Sequence, residues 1–144
     1  MKKLIIGSFI GILLIMTPAC HKDGKSTLEY RVSISMAMWD RGKDIYYTPV
    51  SGDTIELIAN IQSGLYVDER AERTLLVFDG SDWVLKDSGK PGPFPIRITV
   101  LESQRNWIVL IRAIYYRGEE LITVNGIPFR VEDGNQSVVF FRKP

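Results

Sequence analysis

The chain has 144 residues, 45% of them hydrophobic and 24% charged, with 18 basic against 17 acidic side chains and a formal charge of +1. The two signs are interspersed with no basic block, which argues against nucleic acid as a partner, because a phosphate-binding face needs a stripe of Lys and Arg. Cys20 is the only cysteine and His21 the only histidine. A disulfide within the chain, a histidine-based zinc site and a Ser-His or Cys-His nucleophile in the folded part are therefore excluded.

In chain order, Lys2 and Lys3 precede an apolar run from Leu4 to Met16, interrupted only by Gly7, Ser8 and Gly11. That run is too short for a bilayer core, which takes about 20 helical residues, and fits the apolar region of a secretory signal. Pro18 ends the helix and extends the chain for a peptidase. The box Thr17-Pro18-Ala19-Cys20 resembles the bacterial lipoprotein signal, whose last residue is an invariant cysteine. It departs from the commonest form, which has Leu at the first of the four positions; looser boxes of this kind are familiar in Bacteroidetes. The resemblance implies cleavage between Ala19 and Cys20, a diacylglycerol on the Cys20 sulfur and a further palmitate-type chain on its new amine. At about 0.8 kcal/mol per buried CH2, several chains hold a protein to a membrane where one would not. Acylation also accounts for a lone thiol in an exported chain. The expected location is the outer membrane, lipid-anchored, on the cell surface or the periplasmic face.

Removal of residues 1–19 leaves 125 residues, 16 basic and 17 acidic, with a formal charge of −1. That length suits one domain. Residues 20–26 read as a lipidated tether, polar and glycine-containing, and residues 27–144 as a single domain. Lys22-Asp23 weakly resembles the acidic export signal that follows the lipidated cysteine in surface lipoproteins of Bacteroidetes.

The domain alternates with period two, as half-buried strands do. Leu28, Tyr30, Val32, Ile34, Met36 and Met38 share one face, with Glu29, Arg31, Ser33 and Ser35 on the other. Ile45 to Val50 reads as a second strand ending near Pro49, followed by a turn at Ser51-Gly52-Asp53. Thr54 to Ile61 follows, with Ile55, Leu57, Ala59 and Ile61 inward. Asp68 to Arg73 reads as helical or irregular. Leu75–Phe78 and Trp83–Leu85 flank Asp79-Gly80-Ser81-Asp82, a hairpin signal because such turns need positive φ. Ser88 to Pro95, rich in Gly and Pro, reads as a loop.

Ile96–Leu101 and Trp107–Tyr116 read as a second hairpin turning at residues 102–106. Its second arm is apolar on both faces, so it is expected to lie centrally, covered on both sides, with Arg112 as the exception. Arg117-Gly118-Glu119 reads as a turn. Leu121–Val124 and Ile127–Val131 read as a third hairpin about Asn125-Gly126. Asp133-Gly134-Asn135 turns into a last strand, Ser137–Arg142. Eight to ten short strands without an amphipathic helix predict an all-β fold, an antiparallel β-sandwich with Greek-key-like connections. No fixed repeat is present.

No catalytic constellation, metal site or cofactor motif is read. Candidates for a glycosidase-type pair, such as Asp79, Asp82, Glu119 and Glu120, all sit in predicted turns, and turn carboxylates are usually solvated. Asp79 to Asp82 lacks the alternating ligands and distal Glu of a calcium loop. Aromatics are natural strand residues, so Trp83, Trp107, Tyr66, Tyr115 and Tyr116 are assigned to packing. Trp39, Tyr46 and Tyr47, near loops, are the candidate ligand-facing aromatics. Asp53-Thr54-Ile55 resembles the Asp-Ser/Thr-aliphatic O-glycosylation site of Bacteroidetes, which implies modification of Thr54.

The segment from Thr74 to Tyr116, with its hairpin Val77-Phe78-Asp79-Gly80-Ser81-Asp82-Trp83 and its strand ending Ala113-Ile114-Tyr115-Tyr116, resembles fimbrillin-type proteins of Bacteroidetes. Those are lipoprotein precursors whose β-sandwich domains build surface fimbriae. The resemblance implies self-assembly by strand exchange, with Val138-Val139-Phe140-Phe141 as a candidate donor. The expected function is a non-enzymatic, membrane-anchored β-sandwich for surface interaction or adhesion with a protein or glycan. The alternatives are a periplasm-facing binding or inhibitor lipoprotein and, third, a glycan-acting hydrolase.

Overall fold

The structure, a computed structural model, describes residues 24–68, 70, 72–131 and 136–140. The signal peptide, Cys20, the turn at residues 133–135 and the end of the last strand lie outside the described residues. The described chain forms eleven strands: β1 (Lys25–Ile34), β2 (Met38–Asp40), β3 (Ile45–Tyr47), β4 (Thr54–Ser63), β5 (Tyr66–Asp68), β6 (Arg73–Phe78), β7 (Trp83–Leu85), β8 (Phe94–Leu101), β9 (Ile108–Arg117), β10 (Glu120–Arg130) and β11 (Ser137–Phe140). A 3-10 turn, Glu102–Gln104, links β8 to β9.

Two sheets make the sandwich. The smaller has the order β11-β1-β8 and the larger β10-β9-β4-β6-β7, with β5 added on β4; β2 and β3 form a separate ribbon. The inner faces meet in one apolar core. Tyr30, Val32, Ile96 and Ile98 of the small sheet and Ile55, Leu57, Ala59, Ile61, Ile111 and Tyr115 of the large one are all fully buried. The alternation explains why. In β8, Phe94, Ile96, Ile98 and Val100 are buried while Pro95, Arg97 and Thr99 are exposed, so one strand face supplies core and the other meets water.

Several expectations hold. The Asp79-Gly80 turn joins β6 to β7 with Phe78 opposite Trp83, and Gly80 takes φ 104°. Ser51-Gly52 is a turn with Gly52 at φ 94°. The all-β class holds, with eleven strands in place of eight to ten.

The first expected strand breaks after Ile34, leaving Met36 exposed, and Met38 begins β2. Three differences concern how the sheets are joined. First, β10 runs unbroken through Asn125-Gly126, in register with β9 from Asn125 opposite Ala113 to Arg130 opposite Ile108. Gly126 lies across from Arg112, and a Cβ there would meet the Leu110 Cδ1 at 3.2 Å and the Arg112 Cγ at 3.5 Å. The glycine serves close approach of neighbouring side chains, not a turn. Second, β8 and β9 are not a hairpin: β8 pairs with β1 and β9 with β4 and β10, so residues 102–107 carry the chain from one sheet to the other. The buried Gln104 makes this crossover by accepting the Leu101 N–H at 2.9 Å and donating to Asp68 Oδ2 at 2.6 Å. Third, β9 is central in its sheet but covered on one face only. Its outer residues Leu110, Arg112, Ile114 and Tyr116 are half-buried among neighbouring side chains and Ile108 is exposed.

The last strand pairs in parallel with β1, Arg31 opposite Ser137 and Ile34 opposite Phe140, an exception to the antiparallel plan. The free edge of β8 is blunted in a different way. Pro95 has no N–H to offer there, the Arg97 N–H donates to Glu72 Oε2 at 3.2 Å, and the Leu101 N–H is taken by Gln104.

The pairings also define two ends. Lys25 lies opposite Leu101, and Gln62 and Arg130 lie opposite Ile108. The start of β1, the 3-10 turn, the start of β9 and the β4–β5 turn therefore gather at one end. Asp53, the β6–β7 turn and the β9–β10 turn gather at the other.

Replacing Leu57 by Ala, at a site with no exposed surface, is expected to lower the unfolding free energy by about 2–5 kcal/mol. Leu65→Ala, at a side chain that is fully solvent-exposed, should change it by no more than about 0.5 kcal/mol. Urea denaturation of both variants beside the parent checks the contrast.

Candidate functional site

The aromatic residues singled out in the sequence gather on the β2–β3 ribbon, and a buried carboxylate ties down the segment that leaves it. Asp53, 2% exposed, sits just before β4. Its carboxylate accepts the Val50 N–H at 2.8 Å, the Tyr115 hydroxyl, Arg117 Nε at 3.1 Å and Arg117 Nη2 at 3.0 Å. Arg117 Nη2 also donates to the Thr48 carbonyl at 3.1 Å. The Asp53 backbone carbonyl accepts the Phe78 N–H at 2.9 Å. Four donors satisfy a charge that would otherwise be costly to bury. The start of β4, the ends of β6 and β9 and the segment leaving β3 are joined at one point.

Burial alone would raise the Asp53 carboxyl, but the hydrogen bonds from Arg117, Tyr115 and the Val50 N–H outweigh it and hold it below the usual value of 3.8. Burial, and then the hydrogen bond to Asp53, push the Tyr115 hydroxyl well above its ordinary range. Tyr115 therefore stays a donor and Asp53 an acceptor through the neutral range.

On the ribbon, Trp39 stands opposite Tyr46, and their rings stack at 6.2 Å with 19° between planes. The Arg41 guanidinium lies 5.5 Å from the Trp39 ring centre, a cation–π arrangement. Asn125 of β10 donates to the Trp39 carbonyl at 2.5 Å. The Trp39 indole N–H is buried with no hydrogen-bond partner among the described residues. Beside this stack opens a cleft of about 200 Å³, lined by Trp39, Arg41, Asn125, Gly126, Ile127, Val139 and Phe140. It runs between the outer strands of the two sheets, β10 and β11. Pockets that enclose a whole small-molecule substrate have about 300–1,000 Å³, so this cleft suits one side chain or one terminal sugar.

Of the three aromatics expected to face a ligand, the structure brings two together. Trp39 and Tyr46 share the ribbon face opposite Met38 and Tyr47, and Trp39, half-buried, also packs against the edge of the core. Tyr47 turns inward and packs on Tyr115 at 6.5 Å; it pairs with the fully buried Met38, and the two-residue period sends it to the core side. Arg41 and Asn125 were not singled out in the sequence. The spacing from Trp39 to Arg41 was the available signal for the first, while the Asn-Gly turn pattern concealed the second.

Of the turn carboxylates, Asp79 and Asp82 are engaged locally. Asp79 accepts the Ser81 N–H at 2.7 Å and the Asp82 N–H at 2.8 Å, and Asp82 accepts the Trp83 N–H at 2.8 Å. The Asp82 and Ser81 backbone N–H groups hold Asp79 below its usual value. Glu119 and Glu120 are exposed at the β9–β10 turn. Thr54 opens β4, half-buried between Val77 and Tyr116, and its neighbour Asp53 is fully engaged. Among the described residues no cluster of His, Cys, Asp and Glu has the makings of a metal site. No protein-family profile, characterised protein or solved structure matches this chain.

Asp53→Asn is expected to reduce stability at neutral pH by about 1–3 kcal/mol, the scale of charge-assisted hydrogen bonds at a buried acceptor. The folded-state pKa of Asp53 is depressed, so its contribution is complete above the unfolded value and drains away as pH falls through the folded value. The difference between parent and variant should be flat from about pH 5 to 8 and shrink below about pH 4. Urea unfolding across that range checks both the size and the sign.

Proposed function

We propose that this protein is a lipid-anchored, non-enzymatic β-sandwich of the outer membrane that mediates surface interaction or adhesion. The observation that carries the reading is the stack of Arg41, Trp39 and Tyr46 beside the cleft between β10 and β11. Flat aromatic faces with an adjacent cation and a few backbone groups suit recognition of a sugar ring or an exposed side chain. The cleft is too small to surround a substrate and its reacting groups, and the Asp79 and Asp82 carboxylates are committed to their turn. The signal segment ending Ala19-Cys20 supports the anchoring. The weak likeness of residues 74–116 to fimbrillins supports a surface role, including self-assembly by strand exchange. Within the described chain β11 is seated on β1 of its own sheet, so donation of that strand would require it to leave a formed pairing.

Alkyne-palmitate fed to growing cells should label the wild-type protein and leave Cys20→Ala unlabelled. Protease added to intact cells should digest the domain. Digestion only after the outer membrane is permeabilised would reassign the protein to the periplasmic binding or inhibitor role. Arg41→Ala and Tyr46→Ala should each weaken binding to immobilised glycans or to cell surfaces about tenfold, the effect of 1.4 kcal/mol. Unchanged binding by both variants would remove the ribbon from the recognition surface.

A further inference from the structure

The end of the sandwich where β1 starts carries an exposed group of apolar and aromatic side chains. Leu65 stands at the tip of the β4–β5 turn with its whole surface in solvent. Gly64, at φ 56°, makes that tight turn possible. Tyr66 is 67% exposed, Val67 44% and Ile108 40%. Trp107, half-buried, meets the Tyr66 ring edge-on at 5.5 Å. A single exposed Leu means little, but the exposed run Leu65-Tyr66-Val67 with Trp107 against Tyr66 does. Aromatic rings of this kind favour the headgroup level of a bilayer, where one edge is apolar and the other wet.

The base of the tip is braced and carries exposed cations beside their carboxylate partners. Asp68 Oδ2 accepts Gln104 Nε2 at 2.6 Å and pairs with Arg70, which fixes β5 to the crossover between the sheets. Lys25 is exposed, and Arg70 and Arg105 are more than half exposed although Asp68 and Glu102 pair with them. Such groups can meet lipid phosphates around an inserted tip.

The chain length selects the occupant. Lys25 is five residues after Cys20, and a fully extended chain spans at most about 3.6 Å per residue. Lys25 pairs with Leu101, and Leu101 lines the same surface depression as Tyr66, Val67 and Trp107. Any lipid on Cys20 therefore lies within roughly 18 Å of the start of β1, on the end of the domain that bears the tip.

We propose that the β4–β5 turn is a second membrane contact: Leu65 and Tyr66 insert at the lipid interface and seat the domain on the bilayer with the β2–β3 ribbon held away from it. This inference rests on the lipid anchor at Cys20. It predicts a fixed orientation where the tether alone would leave the domain free to tumble.

The test uses the intact lipoprotein in vesicles of phosphatidylethanolamine and phosphatidylglycerol, with and without bromine on the upper acyl chains. Cys20 is acylated under the anchoring reading, so a Leu65→Cys variant then has one free thiol for an environment-sensitive fluorophore. Ser51→Cys, at the opposite end, serves as the control position. The label at position 65 should shift to the blue and be quenched by brominated lipid, while the label at position 51 should keep its emission in water. Tyr66→Asp in the Leu65→Cys background should remove most of the shift. Equal, water-like emission at both positions with lipid on Cys20 overturns the membrane seat alone. Cross-linking of Leu65→Cys copies to each other without quenching assigns the tip to self-association and also overturns it. A wild-type chain that itself takes the label at Cys20 lacks the lipid, and overturns the anchor and the seat together.

Discussion

The carboxylate of Asp53 is the constraint on which the rest of the arrangement depends. It is buried and charged, which is tolerable only because Val50, Tyr115 and Arg117 together supply four donors. Those donors come from separate parts of the chain, the segment after β3 and the end of β9, and the Asp53 backbone holds the end of β6. Tyr115 carries the constraint into the core by meeting Trp83 edge-on at 5.6 Å and Tyr47 at 6.5 Å. The first crossing, from β1 to β4, passes through the β2–β3 ribbon, so holding residues 48–53 restrains the end of the segment that carries Trp39, Arg41 and Tyr46. Recognition surfaces benefit from such rigidity, because ordering that is done on folding need not be repeated on binding.

How much of this was legible in the sequence depends on whether a residue's role was set by its neighbours along the chain or across the sheet. The alternation in Tyr30–Val32, Ile55–Ile61 and Ile96–Val100 could be read directly, since a strand with one buried face has a two-residue period; Phe94 and Pro95, read as loop, extend that last strand. Asp79-Gly80 could be read because its turn chemistry is local. Asn125-Gly126 has the same local signature and means something else: its glycine makes room for Arg112 and Leu110 of the adjacent strand, a requirement visible only once β9 lies beside β10. The crossover from β8 to β9 was hidden for the same reason, as pairing partners are chosen by sheet geometry and by Gln104 at the corner. The three-residue β5, the parallel seat of β11 and the single covered face of β9 carry no distinct sequence signal. In the candidate site, Trp39 and Tyr46 could be found from composition and proximity to loops. Tyr47 differs from Tyr46 only in register, and register was not available.

The fold gives the molecule a polarity. One end is rigid, polar in its core and organised around Asp53. The other collects Leu65, Tyr66, Trp107 and the start of β1. The free edge of β8 is blunted by Pro95, Glu72 and Gln104, whereas the edges of β10 and β11 line the cleft beside Trp39. Under the proposed anchoring, these differences assign separate tasks to separate surfaces: a membrane-facing tip, a protected edge and an outward recognition ribbon.

The central claim is that the Asp53–Arg117–Tyr115 cluster positions the ribbon. Amide hydrogen exchange on an Arg117→Met variant tests it most directly. The account predicts that protection falls at Val50, Asp53 and residues 38–47 while β4 and the middle of β9 keep theirs. Unchanged protection in the ribbon, or an even loss across both sheets, would contradict it.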